Sequence, residues 1–137
     1  MINLRSDTFT KPSYEMLQAL LQGDNGDDCY GENISVNELE SHCANFFGTE
    51  AAVFMPSGTM ASLASILSQT NPGDEIITDA SYHVNYFESA QISRFAGTCF
   101  NTIQSVDGII NELDIENAIL NKYRSQSSSL TKLISLE

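Results

Sequence analysis

Lysine and arginine are scarce in this sequence. They account for 6 of its 137 residues, against 18 aspartates and glutamates, and the formal net charge is −12. Proteins that bind nucleic acids or anionic membrane surfaces use lysine and arginine side chains at the phosphates. We therefore expect neither a nucleic-acid partner nor a membrane partner, and we interpret the acidic excess as a surface that promotes solubility.

Cysteine and long apolar runs are scarce as well. The three cysteines, Cys29, Cys43 and Cys99, are irregularly spaced and include no CxxC pair, which argues against a disulfide framework and a zinc site. No apolar run approaches the roughly 18 residues of a membrane helix, and residues 1–10 lack the apolar segment of a secretory signal. The sequence therefore predicts a cytoplasmic protein that binds no metal.

The residues that are present alternate between helix and strand patterns. Apolar residues at helical spacing predict a helix that ends at Gly23, and a second that follows an S-x-x-E capping box at Ser35 and Glu38 and ends at Gly48. The predicted order from there is strand, helix, strand, helix, strand, helix, strand, at residues 51–55, 58–69, 75–79, 84–95, 98–103, 114–124 and 130–137. Such alternation is typical of an α/β protein with a largely parallel sheet and flanking helices.

A turn of small, hydroxyl-bearing residues joins the first predicted strand to its helix. Ser57, Gly58 and Thr59 stand where a helix presents free amides and partial positive charge, which favours an anion such as phosphate. The alternative is a helix cap without a ligand. Neither G-x-x-x-x-G-K-[ST] nor G-x-G-x-x-G occurs, and Met55 replaces the first glycine of the G-x-S-x-G elbow. An ATPase loop, a dinucleotide fingerprint and a serine nucleophile are therefore unsupported.

His83 follows a predicted strand directly, at the edge where parallel α/β sheets bind ligands. An imidazole there can stack on an aromatic ligand or exchange protons near neutral pH. Glu88, five residues on, can face the same pocket. Bonding of His83 to the backbone, and exposure of Glu88 to solvent, are the alternatives. Tyr30 lies in a glycine-rich loop, where residues can contribute to binding, whereas His42 fits a helix surface.

Six segments, taken in order and spacing, are similar to those of one enzyme family. They are LRSDTFTKP, GDDCYGE, VNELE, PSGTMAS, PGDEII and YHVNYFE, beginning at residues 4, 26, 36, 56, 72 and 82. The sequence resembles the L-threonine aldolases over essentially its whole length. That resemblance implies the aspartate aminotransferase fold, known as fold type I, and pyridoxal 5′-phosphate as the cofactor.

The resemblance also implies roles for particular residues and a reaction. The implied cofactor-binding residues are Ser57, Gly58 and Thr59 at the phosphate and His83 on the ring; His83 and Glu88 are the implied catalytic residues, and Ser6 and Tyr30 the substrate-binding ones. The implied reaction is the retro-aldol cleavage of a β-hydroxy-α-amino acid, which converts threonine or allo-threonine to glycine and acetaldehyde. The implied assembly is a homodimer or homotetramer.

The family's Schiff-base lysine matches no position in this chain, and we expect it beyond Glu137. Two further places depart from the family pattern: Phe9 stands where a smaller β-branched residue is common, and Ser89 to Gln91 stand in place of glycines. We interpret residues 1–137 as the N-terminal part of the cofactor-binding large domain, with an arm, helix and loop in 1–35 and an αβ core in 36–137. These residues alone are predicted to be inactive. The alternatives are a related β-eliminating lyase, an inactive interaction module, or half of a split enzyme completed by a C-terminal chain.

Overall fold

The computed structural model describes residues 2–120, 125 and 127–137, and the chain forms two compact units, Met1–Phe54 and Met55–Glu137. The first unit contains 3-10 helices at Asp7–Phe9 and Asp28–Tyr30, and helices α1 (Tyr14–Gln22) and α2 (Ile34–Phe47). The second contains α3 (Gly58–Gln69), β1 (Glu75–Asp79), α4 (His83–Tyr86), α5 (Ser89–Ala96), β2 (Cys99–Ile103), α6 (Glu112–Leu120) and β3 (Thr131–Ile134).

Local caps determine where the helices of the first unit begin and end. The end of α2 at Gly48, which has a φ of 66°, is confirmed. The predicted start at the Ser35–Glu38 capping box is wrong, because the Asn33 side chain accepts a hydrogen bond from the Val36 amide and begins the helix earlier. The bounds of α2 are therefore determined by contacts between residues that are close in sequence.

The second unit is built on a parallel sheet with the strand order β2-β1-β3. Ile77 of β1 lies opposite Asn101 of β2 and Ile134 of β3. Helices precede and follow the strands, so the predicted α/β class with a parallel sheet is confirmed. β1 is the central strand, and all five of its residues are buried.

The strand predicted at residues 51–55 is wrong, because this apolar run has no regular secondary structure. A strand requires a hydrogen-bonded neighbour, and the amide of Phe54 instead donates to the side chain of Glu40 at 2.7 Å. Composition alone therefore overestimated the number of strands in the described residues.

The core of the second unit lies on one face of β1. Ile76 packs there with Ile66 of α3, Val84 of α4, and Ile92 and Ala96 of α5. The helix predicted at 84–95 is divided into two, since the chain leaves helical geometry between α4 and α5. Each of the two short helices contributes to the same core.

The remaining predicted elements are shorter than expected or shifted. β2 and β3 lie within the predicted strands, while α6 begins two residues before Asp114. Asp114 and Asn111 exchange hydrogen bonds at 3.0 and 3.3 Å across that helix start. Residues 121–124 of the predicted helix lie outside the described part of the chain. Within the described part, no helix is long and apolar enough to cross a membrane.

Candidate functional site

The turn at residues 57–59 opens α3 and leaves room for a ligand. The Ser57 side chain caps the helix by accepting a hydrogen bond from the Met60 amide at 3.1 Å. A Cβ built on Gly58 would meet no atom within 4 Å, and Thr59 is exposed. The first amides of the helix, an accessible hydroxyl and open space fit a phosphate group.

The connection between α3 and β1 determines which end of the sheet this turn occupies. Residues 70–74 reverse the chain after α3, and Ile66 packs on the β1 core. Because α3 runs back along β1, its first turn lies toward the carboxyl end of that strand. The α4 helix, which begins at His83, follows the same strand end, where ligands bind in parallel α/β sheets.

His83 and Glu88 form a close pair beyond that strand end. The Nε2 atom of His83 lies 3.6 Å from Oε1 of Glu88. The histidine side chain is 60% exposed, whereas that of the glutamate is 4% exposed. The Phe87 ring lies tilted against the imidazole, with 5.0 Å between ring centroids. The structure thus brings the two predicted catalytic residues together and leaves one face of the pair accessible.

Neither carboxylate oxygen of Glu88 has a hydrogen-bond partner among the residues that the structure describes. A buried carboxylate without hydrogen bonds is unfavourable for folding, because it has lost its water. When His83 is protonated, the 3.6 Å contact becomes an ion pair that compensates the buried charge. The pair therefore places an exposed imidazole nitrogen beside a buried carboxylate oxygen.

Asp79 is a second buried carboxylate at this end of the sheet, and sequence reasoning did not single it out. It ends β1 and accepts hydrogen bonds from the amides of Ser81 at 2.7 Å and Ser105 at 2.9 Å, and from the Ser81 hydroxyl. Hydrogen bonding by Ser105 and then by Ser81 holds the pKa of Asp79 well below its usual range. Asp79 therefore fixes the loops that follow β1 and β2.

A cavity of about 500 Å³ lies beside these loops. Its walls include Ser81, Phe87, Gln104 and Ser105, together with Asp79. Phe87 also contacts the His83 ring, so the cavity adjoins the histidine–glutamate pair. Its size is sufficient for a small organic ligand.

Ser6 and Tyr30, the predicted substrate-binding residues, belong to the first unit. The Ser6 hydroxyl caps the first 3-10 helix by accepting from the Thr8 amide at 3.2 Å. Tyr30 is 80% exposed at the end of the second 3-10 helix. Both side chains are accessible, and their roles in binding remain predictions.

Glu137 is a further residue that sequence reasoning missed. Its carboxylate accepts hydrogen bonds from the amides of His83 and Val84, at 2.7 and 3.0 Å. More than 50 positions separate the partners, so no local motif indicates the contact. Among the described residues, no group of three or more histidine, cysteine or acidic side chains is arranged to hold a metal ion.

Together, the parallel sheet and the polar pair at its carboxyl end define an α/β protein of the kind that binds small molecules beyond its strands. The model of the beta-eliminating lyase family matches residues 3–137, and the chain belongs to that family.

Curated relatives agree with this assignment. An uncharacterised protein of Caenorhabditis elegans is 42% identical over 99% of this chain and 33% of its own length. The low specificity L-threonine aldolase of Escherichia coli K12 is 45% identical over 65% of this chain and 27% of that enzyme. A probable low-specificity L-threonine aldolase 2 of Arabidopsis thaliana is 35% identical over 99% of this chain and 39% of its length. The resemblance to threonine aldolases is confirmed, and the chain spans about a third of these relatives.

Proposed function

We propose that the full-length protein containing this chain is a pyridoxal-phosphate-dependent threonine aldolase, which cleaves L-threonine and L-allo-threonine to glycine and acetaldehyde. The main support is the accessible His83 imidazole, 3.6 Å from a buried carboxylate at the ligand-binding end of a parallel sheet. The relatives from Escherichia coli and Arabidopsis thaliana, named as low-specificity L-threonine aldolases, support the same reaction.

The turn before α3 would hold the cofactor phosphate. The amides of Gly58 and Thr59 point out of the helix start, and the Ser57 hydroxyl can donate while its oxygen keeps the helix cap. The open space at Gly58 allows a phosphate oxygen to approach the backbone. When bound, pyridoxal phosphate supplies the electron sink that amino-acid side chains lack.

The histidine–glutamate pair would provide ring contact and proton transfer. The exposed His83 ring presents a flat surface for stacking, and its neighbour Phe87 adds a second aromatic surface. A proton would pass between the imidazole and a substrate hydroxyl, while Glu88, on the Nε2 side, would stabilise the protonated ring. Ser6 and Tyr30 would bind the substrate.

Residues outside this chain would complete the site. Lys11 and Lys132, the described lysines, match no cofactor lysine in the resemblance stated above. We propose that residues 1–137 form the N-terminal part of the large domain, divided at residue 35, and that they are inactive alone. A cytoplasmic homodimer or homotetramer would be the active assembly; the family resemblance supports this part of the proposal.

The test is threonine cleavage by the full-length protein with added pyridoxal phosphate. We expect acetaldehyde and glycine as products, and a fall in kcat/KM of roughly 100-fold or more in His83→Asn, as expected for loss of an acid–base group. His42→Asn is the matched control, because His42 is exposed in the first unit. Full activity in His83→Asn, or no cleavage by the wild-type protein, would contradict the proposal.

A related β-eliminating reaction is the second candidate, since the matching family model carries that description. Such an enzyme would release ammonia and a keto acid from an amino acid with a β-leaving group. Assaying the same protein with O-acetylserine and with threonine separates the two. Keto acid from the first substrate, with no glycine from the second, would favour elimination.

A further inference from the structure

A distant side chain holds the backbone where α4 begins. Glu137 accepts from the His83 amide through Oε2 at 2.7 Å and from the Val84 amide through Oε1 at 3.0 Å. The first amides of a helix have no partner within that helix, and the preceding residue, Tyr82, makes no side-chain cap. Glu137 therefore acts as the cap that the local sequence does not supply.

The sheet register brings this carboxylate to its place. β3 runs parallel to β1, with Ile134 opposite Ile77, and the Ser135 amide donates to the Ile77 carbonyl at 2.9 Å. The chain after β3 therefore continues toward the carboxyl end of β1, where α4 begins. The contact with Glu137 follows from strand pairing.

Other bonds hold the loop that leads to α4. The Ala80 amide donates to the Ile103 carbonyl at 2.9 Å, and the Asn85 side chain donates to the Ala80 carbonyl at 2.9 Å. The Tyr82 hydroxyl donates to the Gly108 carbonyl at 2.7 Å. The Glu137 carboxylate adds contacts at the two residues that follow this loop.

His83 consequently combines a fixed backbone with an accessible ring. Its neighbour Val84 is 7% exposed in the core, whereas the His83 side chain is 60% exposed. Few side-chain contacts restrain an exposed ring, so the position of its Cα determines where the ring can reach. The 3.6 Å contact with Glu88 depends on that position.

We propose that Glu137 is a positioning residue for His83. Its two charge-assisted hydrogen bonds fix the His83 backbone, so that the imidazole keeps its place against Glu88 and against a flat aromatic ligand. The proposal rests on the proposed function in one respect, the identity of that ligand as the cofactor ring. Without the carboxylate, the first turn of α4 loses its cap and the imidazole occupies a wider range of positions.

The experiment compares Glu137→Ala and Glu137→Gln in the full-length protein, with NMR of labelled histidine as the first measurement. His83→Asn assigns the His83 signal by its disappearance, and His42 provides an internal reference. Asp114→Asn is the matched control, because Asp114 accepts the Asn111 amide at the start of α6. We expect Glu137→Ala to shift and broaden the His83 signal and Glu137→Gln to do so less, while the control leaves it unchanged.

Kinetics with threonine provide the second measurement. We expect Glu137→Ala to lower kcat by about 10- to 100-fold, with a smaller change in KM, because a displaced catalytic group mainly affects the chemical step. Glu137→Gln retains one acceptor oxygen and should lie between Glu137→Ala and the wild-type protein.

Each result bears on a different claim. An unchanged His83 signal in both Glu137 variants overturns the proposal, as does a loss of thermal stability with unchanged signal and kcat. If Glu137→Ala does not fold, judged by circular dichroism, the isosteric Glu137→Gln decides. If the wild-type protein cleaves no threonine, the proposed function fails, but the NMR measurement still tests whether Glu137 positions His83.

Discussion

Two buried glutamates lie near opposite ends of the central strand and differ in their surroundings. Glu75, the first residue of β1, is 4% exposed and accepts hydrogen bonds from Thr131 at 2.8 Å and Asn101 at 3.3 Å. Glu88, beyond the other end of the strand, is 3% exposed and has no hydrogen bond among the described residues. Glutamate is thus hydrogen-bonded to neighbouring strands at one end of β1, whereas at the other end it lies beside His83 without a hydrogen bond among the described residues.

The two carboxylates are equally buried and differ in their hydrogen bonding. Hydrogen bonds from neighbouring strands compensate Glu75 for its lost water, so it can stabilise the sheet. Glu88 lacks that compensation, and a buried polar group without partners is uncommon in folded proteins. Glu88 instead lies 3.6 Å from the His83 imidazole, which agrees with the proposed catalytic role of the pair.

The sharpest test of the comparison is Glu88→Gln in the full-length protein. We expect kcat/KM for threonine to fall about 100-fold, because the amide cannot stabilise a protonated imidazole. The free energy of unfolding should stay the same or rise, since the change removes a buried charge. Steady-state kinetics and urea unfolding measure the two effects. A large loss of stability would show that Glu88, like Glu75, mainly stabilises the fold.

The same substitution at the other glutamate should have the reverse effect. Glu75→Gln replaces one acceptor oxygen by a donor, and we expect it to lower the free energy of unfolding by about 1–2 kcal/mol. Activity should be unchanged at saturating cofactor. Urea unfolding of Glu75→Gln and Glu88→Gln under the same conditions compares their free energies of unfolding directly. Equal stability of Glu75→Gln and the wild-type protein would contradict the claim that the hydrogen bonds of Glu75 stabilise the sheet.

A smaller effect is expected from Gly97→Ala, near the amino ends of β1 and β2. Gly97 has a φ of 67°, and an added Cβ would lie 2.9 Å from Cβ of Pro72. We expect a loss of stability of roughly 1–2 kcal/mol, and no loss of activity. Gly48→Ala is the control, since Gly48 has a φ of 66° and open space around it. Both variants strain the backbone, but only Gly97→Ala adds a close contact with Pro72, so thermal unfolding should show a larger loss of stability for Gly97→Ala. Equal losses in the two variants would show that the contact with Pro72 contributes nothing.

An effect that disappears in acid is expected from Asp79→Asn. The pKa of Asp79 is lowered in the folded state by Ser105 and Ser81, so its charge stabilises the fold above the unfolded-state pKa of about 3.9. That stabilisation is lost as the pH falls through the folded-state value. We expect the stability difference between wild type and Asp79→Asn to be constant above about pH 5 and to shrink below pH 4. Unfolding curves between pH 7 and 3 measure it; a difference independent of pH would contradict the assignment.

The parts of the fold that depend on neighbouring residues could be predicted from the sequence. Ser57 caps the helix that begins at the next residue, and Gly48 ends another. Both are predictable because cap and helix are adjacent in sequence. The start of α2 was placed too late because Asn33 and Ser35 are both good caps. A choice between two adequate caps depends on small differences in packing.

The parts that depend on distant partners could not be predicted. The run at 51–55 has a strand's composition but no strand to pair with, and the contact of Glu137 with His83 spans more than 50 residues. The position of His83 at a strand end was predictable from topology. The burial of Glu88 was not, because the sequence predicts one continuous helix at 84–95, whereas Glu88 lies between two helices.

The Tyr82 hydroxyl, bonded to the Gly108 carbonyl, gives residues 1–137 an optical reporter. The chain contains no tryptophan, and the other described tyrosines, Tyr14, Tyr30 and Tyr86, are each at least 70% exposed, against 8% for Tyr82. Second-derivative ultraviolet spectra distinguish a phenol in an apolar setting from one in water. Undocking of the loop before His83 would therefore show as a spectral shift, without any added dye.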